Sequence, residues 1–234
     1  MKRTKEHKIE WSGKIKGKEF SDIFFDELII RKADIKDVVF KNVHFKDSHL
    51  GFDTKYSDCV FLDCKFYGKY SSLGKPAAYN DCRFENCEFV GIDLFTGQHF
   101  NNCILSGLMK NPILNDKHPQ IENNETVFKN CDLTDLVFDN VSVYGKDVFE
   151  KCILPRLGVR LFDNTGDKLI ERAEQICRNI NSDDKIDSEI IFKRDLKKGQ
   201  NPIILDDLFL ESFFKTEDSR KIFDDISSGY ELNE

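Results

Sequence analysis

The sequence predicts a mainly β solenoid built from four-sided coils, followed by an α-helical C-terminal segment. The chain has 234 residues, of which 40% are hydrophobic and 21 are Phe. Large apolar residues recur every five positions across roughly 140 residues, and a smaller residue stands two positions before most of them. Beyond residue 160 this period is replaced by an apolar stripe at helical spacing. These observations indicate a repeat architecture with a different C-terminal part.

The N-terminal segment, residues 1–19, is predicted to be a cap. It carries seven basic and three acidic residues together with Ile9, Trp11 and Ile15. The open end of a solenoid exposes unpaired backbone groups, so we expect this segment to fold over the first coil. The segment lacks the apolar run of a secretory signal, and no stretch of the chain approaches 18 apolar residues. We therefore expect a cytoplasmic protein that does not enter a membrane.

The repeats occupy residues 20–160. Their period of five matches neither a helix nor a strand, which require apolar residues at spacings of 3.6 and 2. An apolar–any–apolar triplet followed by two polar residues fits a short strand and a corner, and four such units form one square coil. Five to six coils are expected. The larger inward site predicts a core stack of Phe25, Phe40, Phe45, Phe61, Phe66, Phe84, Phe89, Leu94, Leu105, Phe128, Leu133 and Phe138.

Corners between the short strands are predicted at the residue that precedes the smaller inward site. Asp and Asn tolerate left-handed dihedral angles and hydrogen-bond to their own backbone, which suits them to such corners. The position is filled accordingly by Asp37, Asn42, Asp47, Asp58, Asp63, Asp81, Asn86, Asn102, Asn130, Asp135 and Asn140.

Seven of the eight cysteines fall on the smaller inward site, where free Cys behaves as a small buried apolar residue. Cys82 and Cys103 are four units apart, as are Cys131 and Cys152, so each pair is expected to stack on adjacent coils near disulfide distance. No zinc-type Cys or Cys/His spacing occurs. We expect reduced thiols and no metal. The inward cysteines are Cys59, Cys64, Cys82, Cys87, Cys103, Cys131 and Cys152.

Two interruptions of the repeat, residues 67–77 and 107–125, carry Gly, Pro or Asn and are predicted to project as loops. Loops inserted into a repeat scaffold are frequent contact sites. The alternative is that they are solvated loops without a partner. The candidate partner-binding residues in these loops are Tyr70, Leu73, Lys110 and His118.

The C-terminal segment, residues 161–234, is predicted to be helical and to cap the second end of the solenoid. An apolar stripe runs through residues 167–180, and a weaker helix is predicted within residues 205–214. Phe209 and Phe213 in the second helix are further candidates for partner binding. Whether this apolar surplus forms a homodimer or a partner interface is left open, as is the fold of residues 181–205.

The sequence contains no motif that indicates catalysis. No GxSxG turn, glycine-rich phosphate loop or paired nucleophile and base is present. We therefore expect a protein that is not an enzyme and that binds no cofactor.

The units FKDSHL, FLDCKF, YNDCRF, FENCEF, FKNCDL and FDNVSV resemble the tandem units of the bacterial pentapeptide-repeat proteins. The resemblance covers about residues 20–160 and implies a right-handed quadrilateral β-helix. The layout is also similar to the quinolone-resistance members, which imitate B-form DNA and bind type II topoisomerases. Residues 20–160 carry 17 basic and 21 acidic residues, whereas a DNA-like rod of this length needs about 15 negative charges in excess.

Because the negative charge of the repeats is too small, DNA mimicry is the alternative and not the leading hypothesis. The leading hypothesis is a non-enzymatic scaffold whose loops and C-terminal helices bind another protein, without direct binding of nucleic acid. A role in immunity or phage defence is a further alternative that no specific residue supports.

Overall fold

The computed structural model describes residues 4–92, 94–95, 97–115, 126–144, 148–162, 168–191 and 202–232. As predicted, the chain is a mainly β solenoid of about six coils with helices at its C-terminal end. The strands are β1 Thr4–Lys16, β2 Glu19–Ser21, β3 Ile23–Lys36, β4 Val39–Lys41, β5 His44–Lys46, β6 His49–Phe52, β7 Thr54–Ser57, β8 Val60–Leu62, β9 Lys65–Tyr67, β10 Ala77–Asn80, β11 Arg83–Val90, β12 Leu94–Phe95, β13 Gln98–Asn101, β14 Ile104–Lys110, β15 Ile113–Asn115, β16 Val127–Lys129, β17 Leu136–Asp139, β18 Ser142–Tyr144, β19 Phe149–Glu150, β20 Val159–Phe162 and β21 Ile203–Asp206.

Parallel pairing between successive coils lines up the larger inward residues in four columns, which we name faces A to D. Face A stacks Phe25, Phe45, Phe66, Phe89, Met109 and Phe138. Face B stacks Trp11, Ile30, Leu50, Leu73, Leu114 and Val143. Face C stacks Ile15, Ile35, Tyr56, Tyr79, Phe100, Phe128 and Phe149. Face D stacks Phe20, Phe40, Phe61, Phe84, Leu105, Leu133 and Leu154.

The aromatic rings on faces A, C and D stack directly on one another. The Phe61 and Phe84 rings are parallel with centroids 4.5 Å apart, and the Tyr56 and Tyr79 rings are 4.6 Å apart. The Tyr79 hydroxyl donates to the Leu73 carbonyl at 2.6 Å, so its polar atom is satisfied inside the core. Burial raises the pKa of both tyrosines well above its usual range. The repeated demand for a flat ring that stacks on its neighbours explains the abundance of Phe.

The residues of the predicted core stack are buried wherever their side chains are described. The seven inward cysteines are buried as well, except Cys152, which is half-buried. The side chain of Leu94 lies outside the described part of the structure. Its backbone pairs with Ile113, while Phe95 pairs with the buried Leu114, so this unit is one residue out of the predicted register.

The corners have the predicted left-handed geometry. Asp37, Asn42 and the other predicted corner residues have φ between 49° and 60°, with the exception of Asp135. At that corner Asp132 forms the turn instead, because its carboxylate accepts hydrogen bonds from the Thr134 N–H at 3.0 Å and the Thr134 hydroxyl at 2.6 Å. Side-chain hydrogen bonds between neighbouring corners, such as Asn86 to Asp63 at 2.7 Å, add a polar ladder along the coils.

The cysteines form a ladder along the axis. Cys59, Cys82, Cys103, Cys131 and Cys152 occupy the smaller site of face D on successive coils, which extends the two stacked pairs predicted from the sequence. All eight cysteines are free thiols. Several thiols contact a carbonyl of the preceding coil, as Cys103 does with Tyr79 at 3.4 Å. Burial, with the neighbouring Cys64 thiol, raises the pKa of Cys87 well above its usual range, which suits an apolar packing role.

The first coil begins earlier than predicted. Strand β1 pairs in parallel with β3, with Thr4 beside Ile23 and Ile15 beside Ile35, so residues 4–16 are themselves a layer of the solenoid rather than a separate cap. Ile9, Trp11 and Ile15 pack on the core but are only half-buried. The five-residue period is hard to recognise in this layer. Only one coil covers it, so many of its positions are polar.

The second predicted loop is shorter than expected. Residues 107–115 complete β14 and form β15, with Met109 and Leu114 buried in faces A and B. Gly107 replaces the usual smaller apolar residue, because a Cβ at its position would lie 2.1 Å from the Cys87 carbonyl oxygen. Residues 116–125 lie outside the described part of the structure.

The C-terminal module follows β20 and contains α1 Lys168–Arg178, α2 Lys185–Ile190, α3 Asp207–Phe213 and α4 Glu217–Ser227. The first and third of these helices confirm the two predicted helical regions. Strand β21 pairs antiparallel with β20, a pairing that was not predicted. The module has a second core, which includes Leu169, Ala173, Phe223 and Ile226. No helix in the described residues is long and apolar enough to cross a membrane.

Candidate interaction surfaces

The first loop contributes one exposed and one buried candidate residue. Tyr70 is 62% exposed and its backbone N–H donates to Asp47 at 3.2 Å, so its ring is held out from the coil. Leu73, predicted to bind a partner, is only 1% exposed and stacks on Leu50 in face B. The structure therefore corrects the assignment of Leu73: an inward position fills the core even inside a loop.

The second loop contributes little to a described surface. Lys110 is the last residue of β14, where it is exposed and its Nζ lies 2.8 Å from the Asp139 carboxylate on the next coil. It belongs to the outer face of a strand rather than to a projecting loop. His118 lies outside the described residues.

Phe209 and Phe213 on α3 are half-buried rather than freely exposed. Their rings are 5.2 Å apart and pack against the second core, and Phe213 also contacts Phe214 at 5.5 Å. Leu208, which directly precedes Phe209, is 48% exposed. The structure thus uses most of this Phe-rich segment for packing within the module.

Asp206 connects the C-terminal module to the solenoid. Its carboxylate is fully buried and caps α3 by accepting from the Phe209 N–H at 2.7 Å. It also accepts from the Asn140 and Val141 N–H groups, at 3.0 and 2.8 Å, at the corner that leads into β18. One side chain therefore satisfies buried donors on both parts of the chain. Ion pairs of Arg160 with Asp207 at 3.7 Å and Asp224 at 2.7 Å add to this junction.

The outer strand surfaces are largely neutralised by ion pairs between coils. Lysines on one coil lie close to carboxylates on the next, as for Lys36 and Asp58 at 3.2 Å or Lys129 and Glu150 at 3.0 Å. The hydrogen bond from Lys46 lowers the pKa of Asp26. Such exposed pairs contribute little stability. They do remove the continuous negative charge that a DNA-like surface requires.

The corner between faces D and A contains a notch that the sequence analysis did not identify. Between the inward residues Leu105 and Met109 the coil has one residue fewer than its neighbours. As a result Ser106 alone stands between two full corners, Glu85–Asn86 on one side and Thr134–Asp135 on the other. The Ser106 hydroxyl accepts from the Asn86 N–H at 2.9 Å, which holds the shortened corner inward.

Two adjoining depressions of about 500 and 420 Å³ follow from this shortened corner, and we call them together the corner notch. Apolar side chains point outward around it, where the other coils mostly carry polar residues. Ile104 is 45% and Val137 is 42% exposed. The notch is lined by Leu62, Ile104, Leu108 and Val137, and by the carboxylates of Glu85, Glu88, Asp132 and Asp135.

Three signals in the sequence could have revealed these features. The spacing of four between Leu105 and Met109, instead of five, marks the shortened corner. Ile104 and Val137 stand at outward positions of the repeat, where an apolar side chain has no packing role in the coil. Asp206 directly precedes an apolar helical stretch, which is the pattern of an N-cap residue. Its contact with Asn140 joins positions 66 residues apart and has no local signal.

The described side chains do not assemble a recognisable metal or catalytic centre. No group of three or more His, Cys, Asp and Glu residues in the described ranges could hold a metal ion. His49 is half-buried beside Arg31, and burial, followed by that positive charge, lowers its pKa.

No protein-family profile matches the chain, and a search of the curated proteins gave no match.

Proposed function

We propose that this chain is a pentapeptide-repeat protein with right-handed coils that works as a non-enzymatic scaffold for binding another protein. One observation carries the proposal: the inward positions are occupied by packing side chains, while outward apolar side chains gather at the corner notch. Contiguous exposed apolar side chains with a polar rim are typical of protein interaction sites. A cytoplasmic location, with reduced thiols, is part of this proposal.

The candidate contact regions are the corner notch, the exposed Tyr70 in the first loop and the exposed Leu208 on α3. The notch and Tyr70 lie on the solenoid, whose coils are held in register by parallel pairing, so a partner meets a preformed surface there. A preformed surface reduces the ordering cost of association.

The test is purification of the tagged full chain from the cells that encode it, after nuclease treatment, with quantification of every protein that co-purifies. We expect one protein partner at about one copy per chain, because a specific interface forms a defined complex. The variant Tyr70→Ser/Leu208→Ser, which removes two exposed apolar side chains without touching the core, serves with the parent chain to map which region the partner contacts. Recovery of the chain without a protein partner contradicts the proposal.

DNA mimicry is separated from this proposal by a supercoiling assay with purified gyrase. Ion pairing of the outer lysines and carboxylates supports the expectation that the chain neither inhibits nor protects gyrase. Inhibition at stoichiometric concentrations is the result that favours the DNA mimic.

A further inference from the structure

The corner notch has the chemistry of a docking site for a positively charged apolar segment. We infer that it binds a basic amphipathic helix of a partner protein, an assignment that rests on the proposed function and names the class of partner. The apolar face of the helix lies on Ile104, Leu108 and Val137, and its Lys or Arg side chains lie toward Glu85 and Asp135.

The spacing of the coils suits a helix. Side chains in one column recur about every 4.8 Å along the solenoid axis. An α-helix repeats one face about every 5.4 Å, at residues three and four apart. A helix that lies along the axis therefore presents one apolar side chain to each coil over a few turns. The shortened corner at Ser106 gives it a depression into which one of these side chains descends.

The charge of the notch selects a basic helix. Four carboxylates line the notch. Among the described residues, Lys65 and Arg83 form ion pairs with Glu88 and Glu85, and the charge of Arg156 acts on Asp132, so carboxylates outnumber the cations beside them. Hydrogen bonds from Thr134 lower the pKa of Asp132, which keeps that carboxylate ionised. Asp135 is exposed and has no ion pair among the described residues. A nucleic acid or an acidic helix meets like charge here, which opposes binding.

A second copy of this chain is a poor occupant. The two longest helices, α1 and α4, already bury their apolar faces in the second core through residues such as Ala173 and Phe223. In addition α4 is acidic, with Glu217, Asp218 and Asp224 among its residues. The described part of the chain therefore offers no free basic apolar face, and a different protein is the occupant that fits.

The experiment uses a labelled model peptide of Leu and Lys, with Leu at helical spacing on one face, and a matched peptide with Glu in place of Lys. Fluorescence anisotropy measures the affinity of each peptide for the full chain. We expect binding of the Lys peptide that weakens as salt rises, and no binding of the Glu peptide. Equal affinity for the two peptides overturns the assignment.

The variant Ile104→Lys/Val137→Lys places positive charge in the notch and is expected to weaken binding of the Lys peptide at least about tenfold, since like charges at an interface are strongly unfavourable. The matched control Leu157→Lys/Leu208→Lys changes two exposed apolar residues outside the notch, and this variant is expected to bind as the parent does. Both variants alter exposed sites, so their melting temperatures are expected to equal that of the parent. Equal loss in both variants, or no loss in the notch variant, overturns the assignment.

The two proposals fail in different ways. If a co-purified protein partner stays bound to the notch variant, the notch assignment is wrong and the protein-binding scaffold stands. If no protein partner is found while the Lys peptide binds the parent and not the notch variant, the scaffold proposal fails and the notch assignment stands.

Discussion

Replacing Asp206 by alanine is expected to lower the free energy of unfolding by about 3–5 kcal/mol, because it removes a buried acceptor and leaves three N–H groups without a partner. These donors belong to Asn140 and Val141 in the solenoid and to Phe209 in α3. Urea unfolding measures the loss. Hydrogen exchange locates it, since the amides of these three residues are expected to exchange faster than in the parent.

The neighbouring carboxylate provides the matched control. The Asp207 side chain is 45% accessible and pairs with Arg160 at 3.7 Å, so Asp207→Ala is expected to change stability by no more than about 0.5 kcal/mol. Asp206→Asn keeps one accepting oxygen in place of two and is expected to fall between the alanine variants. If Asp206→Ala and Asp207→Ala are equally mild, Asp206 does not hold the module to the solenoid.

Replacing Phe84 by alanine is expected to cost about 3–5 kcal/mol of stability, since it removes a ring from the centre of a column. Phe84 is fully buried and its ring is parallel to that of Phe61 at 4.5 Å. The neighbouring coils are held apart by their backbone ladders and collapse only partly into the cavity. Urea unfolding of the variant and the parent gives the difference.

Its control is the next residue in the chain. The side chain of Glu85 points outward and pairs with Arg83, so Glu85→Ala is expected to shift the free energy of unfolding by no more than about 0.5 kcal/mol. Both substitutions shorten a side chain on the same strand. The Phe84 side chain points into the solenoid, whereas the Glu85 side chain points away from it. Similar losses in both variants mean that the inward register is misassigned.

Most of the solenoid could be predicted because each unit solves the same local problem. An inward ring such as Phe61 packs on equivalent rings in the coils above and below, so the same residue type returns every five positions. A corner residue such as Asn102 is needed wherever the chain must turn with positive φ. Requirements of this kind are visible in one sequence because they are repeated.

Prediction failed where a coil departs from its neighbours. Gly107 and Met109 perform the roles of the usual small and aromatic residues, so the second half of β14, residues 107–110, reads as a loop in the sequence. Leu73 lies within an interruption of the period, which concealed its inward position. In the terminal layer, Trp11 is covered on one side only, so the surrounding polar residues obscured the repeat.

The interaction surfaces were harder to predict than the fold. The corner notch combines residues such as Leu62, Ile104 and Val137 that come from different coils, and its shape follows from one missing residue. The sequence predicts that Phe209 and Phe213 are available to a partner. In the structure they pack against the second core, which includes residues distant in sequence such as Leu169. Contacts of this range follow from the assembled coils and not from the repeat itself.

The central claim is that the five-residue period directs the same sites of every unit toward one axis, and the native cysteines report on it directly. Six of the seven in the solenoid are buried at the smaller inward site, Cys177 is buried in the second core, and Cys152 is half-buried. Brief alkylation of the native, reduced protein followed by mass spectrometry is expected to modify Cys152 at most, and all eight cysteines after unfolding in urea. Rapid native modification of Cys82, Cys103 and Cys131 would contradict the claim.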